Sequence, residues 1–119
     1  MATATLTFNL AQSDFEGIVD MAGYGIGYWA HTLVIDNTGT DGSYVSYSVT
    51  DTGEGKRTFV LTREMVEQAA LDLHIAPGVD DIIQIAIRQL VVNNDASDVG
   101  SDIADAIIQH ACFGEVIYG

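Results

Sequence analysis

The chain has 119 residues, of which 48% are hydrophobic, and a net charge of −13 from 17 acids against four Lys and Arg. This length fits one domain spanning residues 1–119, and the hydrophobic fraction argues against intrinsic disorder. Because four cations cannot neutralise many phosphates, we expect no direct binding to nucleic acid and no affinity for anionic membranes.

The cysteine and histidine content points to a reducing compartment and to no metal site. Cys112 is the single cysteine, which excludes an intramolecular disulfide. His110 and Cys112 lie two residues apart, so on a helix they point about 200° away from each other. Neither C-x-x-C nor H-E-x-x-H occurs, so we predict no metal and no cofactor. The N-terminus lacks the basic and apolar regions of a secretory signal, which predicts a cytoplasmic protein.

The first quarter of the chain predicts a strand followed by a helix. Residues 3–9 alternate threonine with apolar side chains, a pattern typical of a half-buried strand. Residues 13–23 have helical apolar spacing, with Ser13 and Glu16 as a capping box at the start. Gly23 is the expected residue just beyond the helix end.

Three more strands are predicted before the composition changes. They cover residues 28–36, 43–51 and 57–61. Asp41 and Gly42 indicate a hairpin between the first two, and residues 52–56 indicate the next turn.

The second half of the chain predicts three helices, over residues 62–73, 80–92 and 102–112. Pro77-Gly78 and the polar segment 93–101 separate them. The resulting fold class is α+β: a four-stranded, mainly antiparallel sheet in the order βαβββ, packed with C-terminal helices. We expect the apolar residues of the last two helices in the core or in an interface: Ile82, Ile83, Ala86, Ile87, Leu90, Ile107, Ala111 and Phe113. Because helix 80–92 is apolar on more than one side, we also expect a homodimer.

A glycine-rich stretch joins the first helix to the second strand. Gly23, Gly25 and Gly27 occupy alternate positions just before Tyr28 and Trp29. One interpretation is structural, since glycines permit positive φ and close backbone approach. The other is a small-ligand site of nucleotide type, with aromatic side chains on its rim and glycine amides as donors. That site consists of Tyr24, Gly25, Gly27, Tyr28 and Trp29.

Four carboxylates near the last helix are spaced by three, four and three residues. They are Asp95, Asp98, Asp102 and Asp105. If this helix begins near Asp98, its three acids from that point lie along one face. Such a row, with Asp80 and Asp81 adjacent, is a candidate contact surface for a basic protein. A solvated face, adaptation to high salt and a divalent-metal site are the alternatives.

Both ends of the chain resemble a family of small proteins encoded by bacteriophages and prophages. Gly27, Tyr28 and Trp29 match the end of an N-terminal family motif, although the Glu-Gly-Gly that opens that motif is replaced here by AGYGIG. The C-terminal match comprises Ile108, Gln109, Ala111, Phe113, Gly114, Glu115, Val116, Ile117, Tyr118 and Gly119.

The resemblance implies a viral origin and a location in the cytoplasm of a bacterial host. Small acidic phage proteins without catalytic motifs are often inhibitors of host machinery, so by analogy we expect no enzyme. The leading hypothesis is a DNA-mimicking antagonist, of the anti-CRISPR kind, of a basic host or defence protein that binds nucleic acid. Ligand sequestration by the Gly25–Trp29 loop and a structural or assembly role remain as alternatives.

Overall fold

A computed structural model describes residues 8–36, 46–52, 57–75 and 81–118. These ranges contain four helices and three strands, which confirms the mixed α+β class. The helices are α1 (Gln12–Gly25), α2 (Arg63–Ile75), α3 (Asp81–Asn93) and α4 (Ser101–Phe113). The strands are β1 (Ala30–Asp36), β2 (Ser46–Asp51) and β3 (Thr58–Leu61).

The described sheet has three antiparallel strands in the order β1-β2-β3, so the prediction of four strands is corrected. Residues 3–7 of the first predicted strand lie outside the described residues, and Phe8 and Asn9 are not in a strand. The turns at Asp41-Gly42, 53–56 and Pro77-Gly78 also lie outside the described residues. Within β2, Tyr47, Val49 and Asp51 are buried at alternate positions, which places one face of the sheet against the helices.

The ends of α1 differ from their prediction. The helix begins one residue before Ser13, with Ala11 as the N-cap and no side-chain cap. Glu16 accepts a hydrogen bond from the Gln12 amide, so the predicted capping box does not form. At the other end the helix continues through Gly23 to Gly25, because apolar packing of Ala22 and Ile26 extends its buried stripe.

The hydrophobic core lies where α1, α2 and α4 pack together and against the sheet. Ala86, Ile87, Leu90 and Ile107 are buried as predicted, and Ile83 packs against the core. Ile82 is exposed, so α3 presents apolar side chains on two sides. None of the helices in the described ranges has both the length and the apolar composition to cross a bilayer.

Candidate functional site

The segment at Tyr28 and Trp29 meets the last helix, far along the chain, in space. The Tyr28 hydroxyl donates a hydrogen bond to Asp105 Oδ2 at 2.6 Å, and the Trp29 indole Nε1–H donates to Asp105 Oδ1 at 2.8 Å. Asp105 lies on α4, and Gln109 follows it by one helical turn. We name these four residues, together with Tyr118 and Asp51, the polar cluster.

Close approach of α1 and α4 brings the cluster together. A Cβ built on Gly25 would lie 2.6 Å from the Ser101 carbonyl oxygen, so only glycine fits there. This confirms the structural interpretation at Gly25. It is wrong for Gly23 and Gly27, which have open space around them and no positive φ. After Gly25 a tight turn, in which the Ala30 amide donates to the Ile26 carbonyl at 2.9 Å, leads Trp29 into the core before β1 begins.

Gln109 is fully buried and joins three parts of the chain. Its Nε2 donates to Asp105 Oδ1 at 2.9 Å, to the Tyr28 hydroxyl at 3.2 Å and to the Tyr118 carbonyl at 3.1 Å. Its Oε1 accepts from the backbone amides of Ile117 and Tyr118 at 2.9 and 2.8 Å. One amide side chain therefore binds the C-terminal segment much as a neighbouring strand would.

Aromatic rings cover the polar cluster. Tyr118 stacks on Trp29 with ring centroids 5.4 Å apart and planes inclined by 14°. Its hydroxyl donates to the buried Asp51 carboxylate, 3.1 and 3.2 Å from the two oxygens. Phe113 contacts both rings, and the Arg57 guanidinium lies 5.6 Å from the Phe113 centroid. The rings lie over the buried Trp29–Asp105–Gln109 part of the cluster, whereas Tyr28 at its edge is 58% exposed.

The pKa values of Tyr28 and Cys112 are both raised, which favours their neutral forms. Partial burial raises the pKa of Tyr28 to about 12, and the hydrogen bond and charge of Asp105 act in the same direction. Burial raises the pKa of Cys112 to about 12 as well, with the Asp51 charge adding to the effect. A thiol with this pKa is a poor nucleophile at neutral pH. Cys112 therefore acts as a small hydrophobic side chain.

The predicted row of four aspartates does not form a single face. Gly100 is the N-cap of α4, so Asp98 lies in the turn before the helix instead of at its start. Asp105 is only 9% exposed and belongs to the polar cluster, which removes it from any contact surface. Asp95 accepts hydrogen bonds from Ser97 that hold its pKa below the ordinary value. Asp102 is exposed in the first turn of α4, where the helix dipole favours a carboxylate.

Three predicted contact acids remain exposed: Asp81, Asp98 and Asp102. Asp80 lies outside the described residues. Asp98 lines a hollow of about 290 Å³ together with Ile82, Ile85 and Ala86, which places it beside the beginning of α3. We name Asp81, Asp98 and Asp102 the acidic surface.

The predicted aromatic pocket is not supported by the burial of its residues. Tyr24 is 84% exposed, whereas Trp29 is 2% exposed and its N–H is already bonded to Asp105. Trp29 is a core residue, so it does not stand on the rim of an open site. The glycine-rich stretch precedes this tryptophan because α1 must pass close to α4 before the ring can enter the core.

Sequence reasoning missed Gln109 and Asp51 as organising residues. A signal for Gln109 was present, because Asp105 and Gln109 lie four residues apart within an otherwise apolar helical run. Polar residues on the buried stripe of a helix must be hydrogen-bonded to each other or to neighbours. No comparable pattern marks Asp51, whose burial depends on the sheet.

The described residues contain no group of three or more His, Cys, Asp or Glu placed to hold a metal ion. No protein-family model, curated protein or solved structure matches the chain.

Proposed function

We propose that the protein is a non-enzymatic antagonist that binds a basic, nucleic-acid-binding protein through its acidic surface. The observation that carries this proposal is that, within the described ranges, no ion pair includes Asp81, Asp98 or Asp102. These exposed carboxylates belong to a chain with a net charge of −13. They are therefore available to a positively charged partner.

Electrostatic complementarity would raise the rate of association with the basic partner and make the binding more specific. The electric field of a chain with a net charge of −13 attracts basic surfaces. Salt screens this attraction beyond about 8 Å at physiological ionic strength. A groove that normally binds nucleic-acid phosphates presents Lys and Arg, which exposed carboxylates can engage in place of phosphates. The resemblance to bacteriophage proteins supports a host or defence complex, such as a CRISPR effector, as the target, in the cytoplasm of the bacterial host.

The ligand-binding alternative has less support. The polar groups of Tyr28 and Trp29 are engaged by Asp105, and Gly25 is packed against Ser101. An assembly role is favoured by one specific observation, the exposed apolar residues of α3.

The test is capture from bacterial lysate at low salt by the parent protein and by a variant with Asp98→Lys and Asp102→Lys. The matched control carries Asp20→Lys and Glu64→Lys, two exposed acids on α1 and α2 that change the net charge equally. The proposal predicts that parent and control retain the same basic protein, that duplex DNA competes for it, and that the Asp98/Asp102 variant loses it.

Two control measurements accompany the capture experiment. Circular dichroism checks that each variant is folded, and light scattering on the same samples separates loss of the partner from a change in self-association. Equal capture by both variants, or no basic protein retained by the parent, contradicts the proposal.

A further inference from the structure

The outward face of α3 is apolar although it points away from the core. Ile82, Ile85 and Val92 are 70%, 61% and 55% exposed. The opposite side of the helix is buried through Ala86, Ile87, Leu90 and Val91. Adjacent exposed aliphatic side chains along one helix are typical of a surface that another protein covers.

Two charged residues and two apolar residues alternate along this outward face. Asp81, Ile85, Arg88 and Val92 follow one another at intervals of four, three and four residues, so they share one face of the helix. We name these residues, with Ile82, the α3 outer face. Along the helix axis, Asp81 lies about 6 Å before Ile85 and Arg88 about 4.5 Å after it.

Within the described residues, Arg88 differs from the other two arginines in having neither an ion pair nor an aromatic ring as a partner. Arg63 pairs with Glu64 and Glu67, at 3.0 and 3.3 Å. Arg57 lies over the Phe59 and Phe113 rings. Within the described residues Arg88 forms no ion pair, and it is exposed. A chain with only four Lys and Arg therefore places one of them in the middle of an exposed apolar face, without an ion pair to any described residue.

We propose that the α3 outer face binds the same face of a second copy, with the two helices antiparallel and Ile85 of each copy at the two-fold axis. In this arrangement Asp81 of each copy faces Arg88 of the other, because the two residues lie at similar distances on opposite sides of Ile85. Two opposite-charge pairs then flank an apolar centre. A two-fold contact requires this self-complementary pattern, since each residue must match its counterpart on the same surface.

The neighbouring hollow fits the same arrangement. Ile82 lies opposite Arg88 of the second copy, and Ile82 lines the hollow together with Ile85, Ala86 and Asp98. The incoming guanidinium therefore approaches Asp81 with Asp98 close by. Repulsion between two chains of charge −13 opposes the dimer, but screening limits it to charges within about 8 Å at physiological salt.

The deciding experiment is a charge swap between copies, with mass measured by sedimentation equilibrium at physiological salt. The parent should have twice the chain mass. Asp81→Arg and Arg88→Asp should each be monomeric, because each change places like charges opposite each other at both pairs. We expect the dimer dissociation constant to rise at least about a hundredfold in each variant.

Mixing the two variants in equal amounts restores both opposite-charge pairs, so the mixture should return to dimer mass. One chain carrying both changes should dimerise as the parent does. Glu64→Arg makes the same charge change on α2 and should leave the dimer intact. A monomeric parent, two dimeric single variants, or a mixture that stays monomeric would each overturn the proposal. Asp81 also belongs to the acidic surface, so partner capture is measured with Arg88→Asp, which leaves Asp81, Asp98 and Asp102 unchanged.

Discussion

Asp105 is a carboxylate that three side-chain donors hold inside the protein. Tyr28, Trp29 and Gln109 each donate to it, at 2.6, 2.8 and 2.9 Å. Within the described residues it has no ion pair, so these hydrogen bonds alone offset the cost of removing the charge from water. A hydrogen bond to a charged group contributes about 1.5–3 kcal/mol, more than a neutral one.

Replacing Asp105 therefore tests the cluster. Asp105→Leu leaves the buried Trp29 N–H without its acceptor and removes one of the three acceptors of the Gln109 amide, and we expect it to lower the free energy of unfolding by about 3 kcal/mol or more. Asp105→Asn keeps one acceptor oxygen and should lower the free energy of unfolding clearly less than Asp105→Leu does. Asp102→Asn, one turn earlier and exposed, is the matched control and should change little. Urea denaturation measures all three, and an equal effect at Asp102 and Asp105 would contradict this assignment.

Tyr28 gives the cluster a pH dependence at the alkaline end. Its pKa is raised to about 12 from an ordinary value of 10.0. A group whose pKa is raised by folding stabilises the native state fully below the unfolded pKa. The Tyr28 contribution should therefore be complete below pH 10 and fall as the pH rises toward 12. Tyrosinate absorbance should show a component titrating near 12 that Tyr28→Phe removes and Asp105→Asn shifts downward. A titration unchanged by Tyr28→Phe would be evidence against the hydrogen bond.

At the scale of elements, two glycines are required for different physical reasons and a third is not required for either. Gly25 allows α1 to touch the backbone of α4, Gly114 ends α4 with φ +76°, and Gly23 does neither. The Gly114 amide donates to the His110 carbonyl at 2.8 Å, which closes the last helical turn before the chain reverses toward Gln109.

Alanine substitutions should separate these causes. Gly25→Ala places a methyl group against the Ser101 carbonyl and should cost about 1–3 kcal/mol through overpacking. Gly114→Ala should cost about 1–2 kcal/mol because an L side chain strains the left-handed conformation. Gly23→Ala, inside α1 and in open space, should stabilise by about 0.5–1 kcal/mol and serves as the control. Thermal unfolding measures each change. A destabilised Gly23→Ala would show that the α1 geometry is different.

The elements themselves were largely predictable, and their ends were less so. Apolar periodicity predicted α2, α3 and α4 to within two residues at each end. Ser13 and Asp98 are residue types that favour the start of a helix, but neither is the N-cap of one. A capping preference of about 1 kcal/mol is smaller than the stabilisation from packing a whole apolar stripe, so packing decides where the helix begins. Asp105 is buried because it lies on the side of α4 that contacts Trp29, and helical spacing alone does not show which element covers that side.

The whole molecule combines an acidic exterior with an interior that joins distant parts of the sequence. Tyr28 and the C-terminal segment are far apart in the sequence, and only the tertiary structure shows that they are joined through Asp105 and Gln109. Periodicity reports which side of an element is buried, but it does not say which other element covers it. The outer face of α3 illustrates the reverse case: its apolar excess was visible in the sequence, and its exposure needed the structure.

The pairing of α1 with α4 has a consequence for synthesis on the ribosome. Tyr28 and Asp105 are 77 residues apart, and Tyr28 and Gln109 are 81 apart. At about 5–20 residues per second, α1 and Trp29 must wait about 4–15 seconds for the helix that covers them. During that interval Phe15, Ile18 and Trp29 are open to chaperones, to aggregation and to the apolar faces of other nascent chains. Slowing translation before α4 should therefore increase aggregation even though the sequence of the finished protein is unchanged.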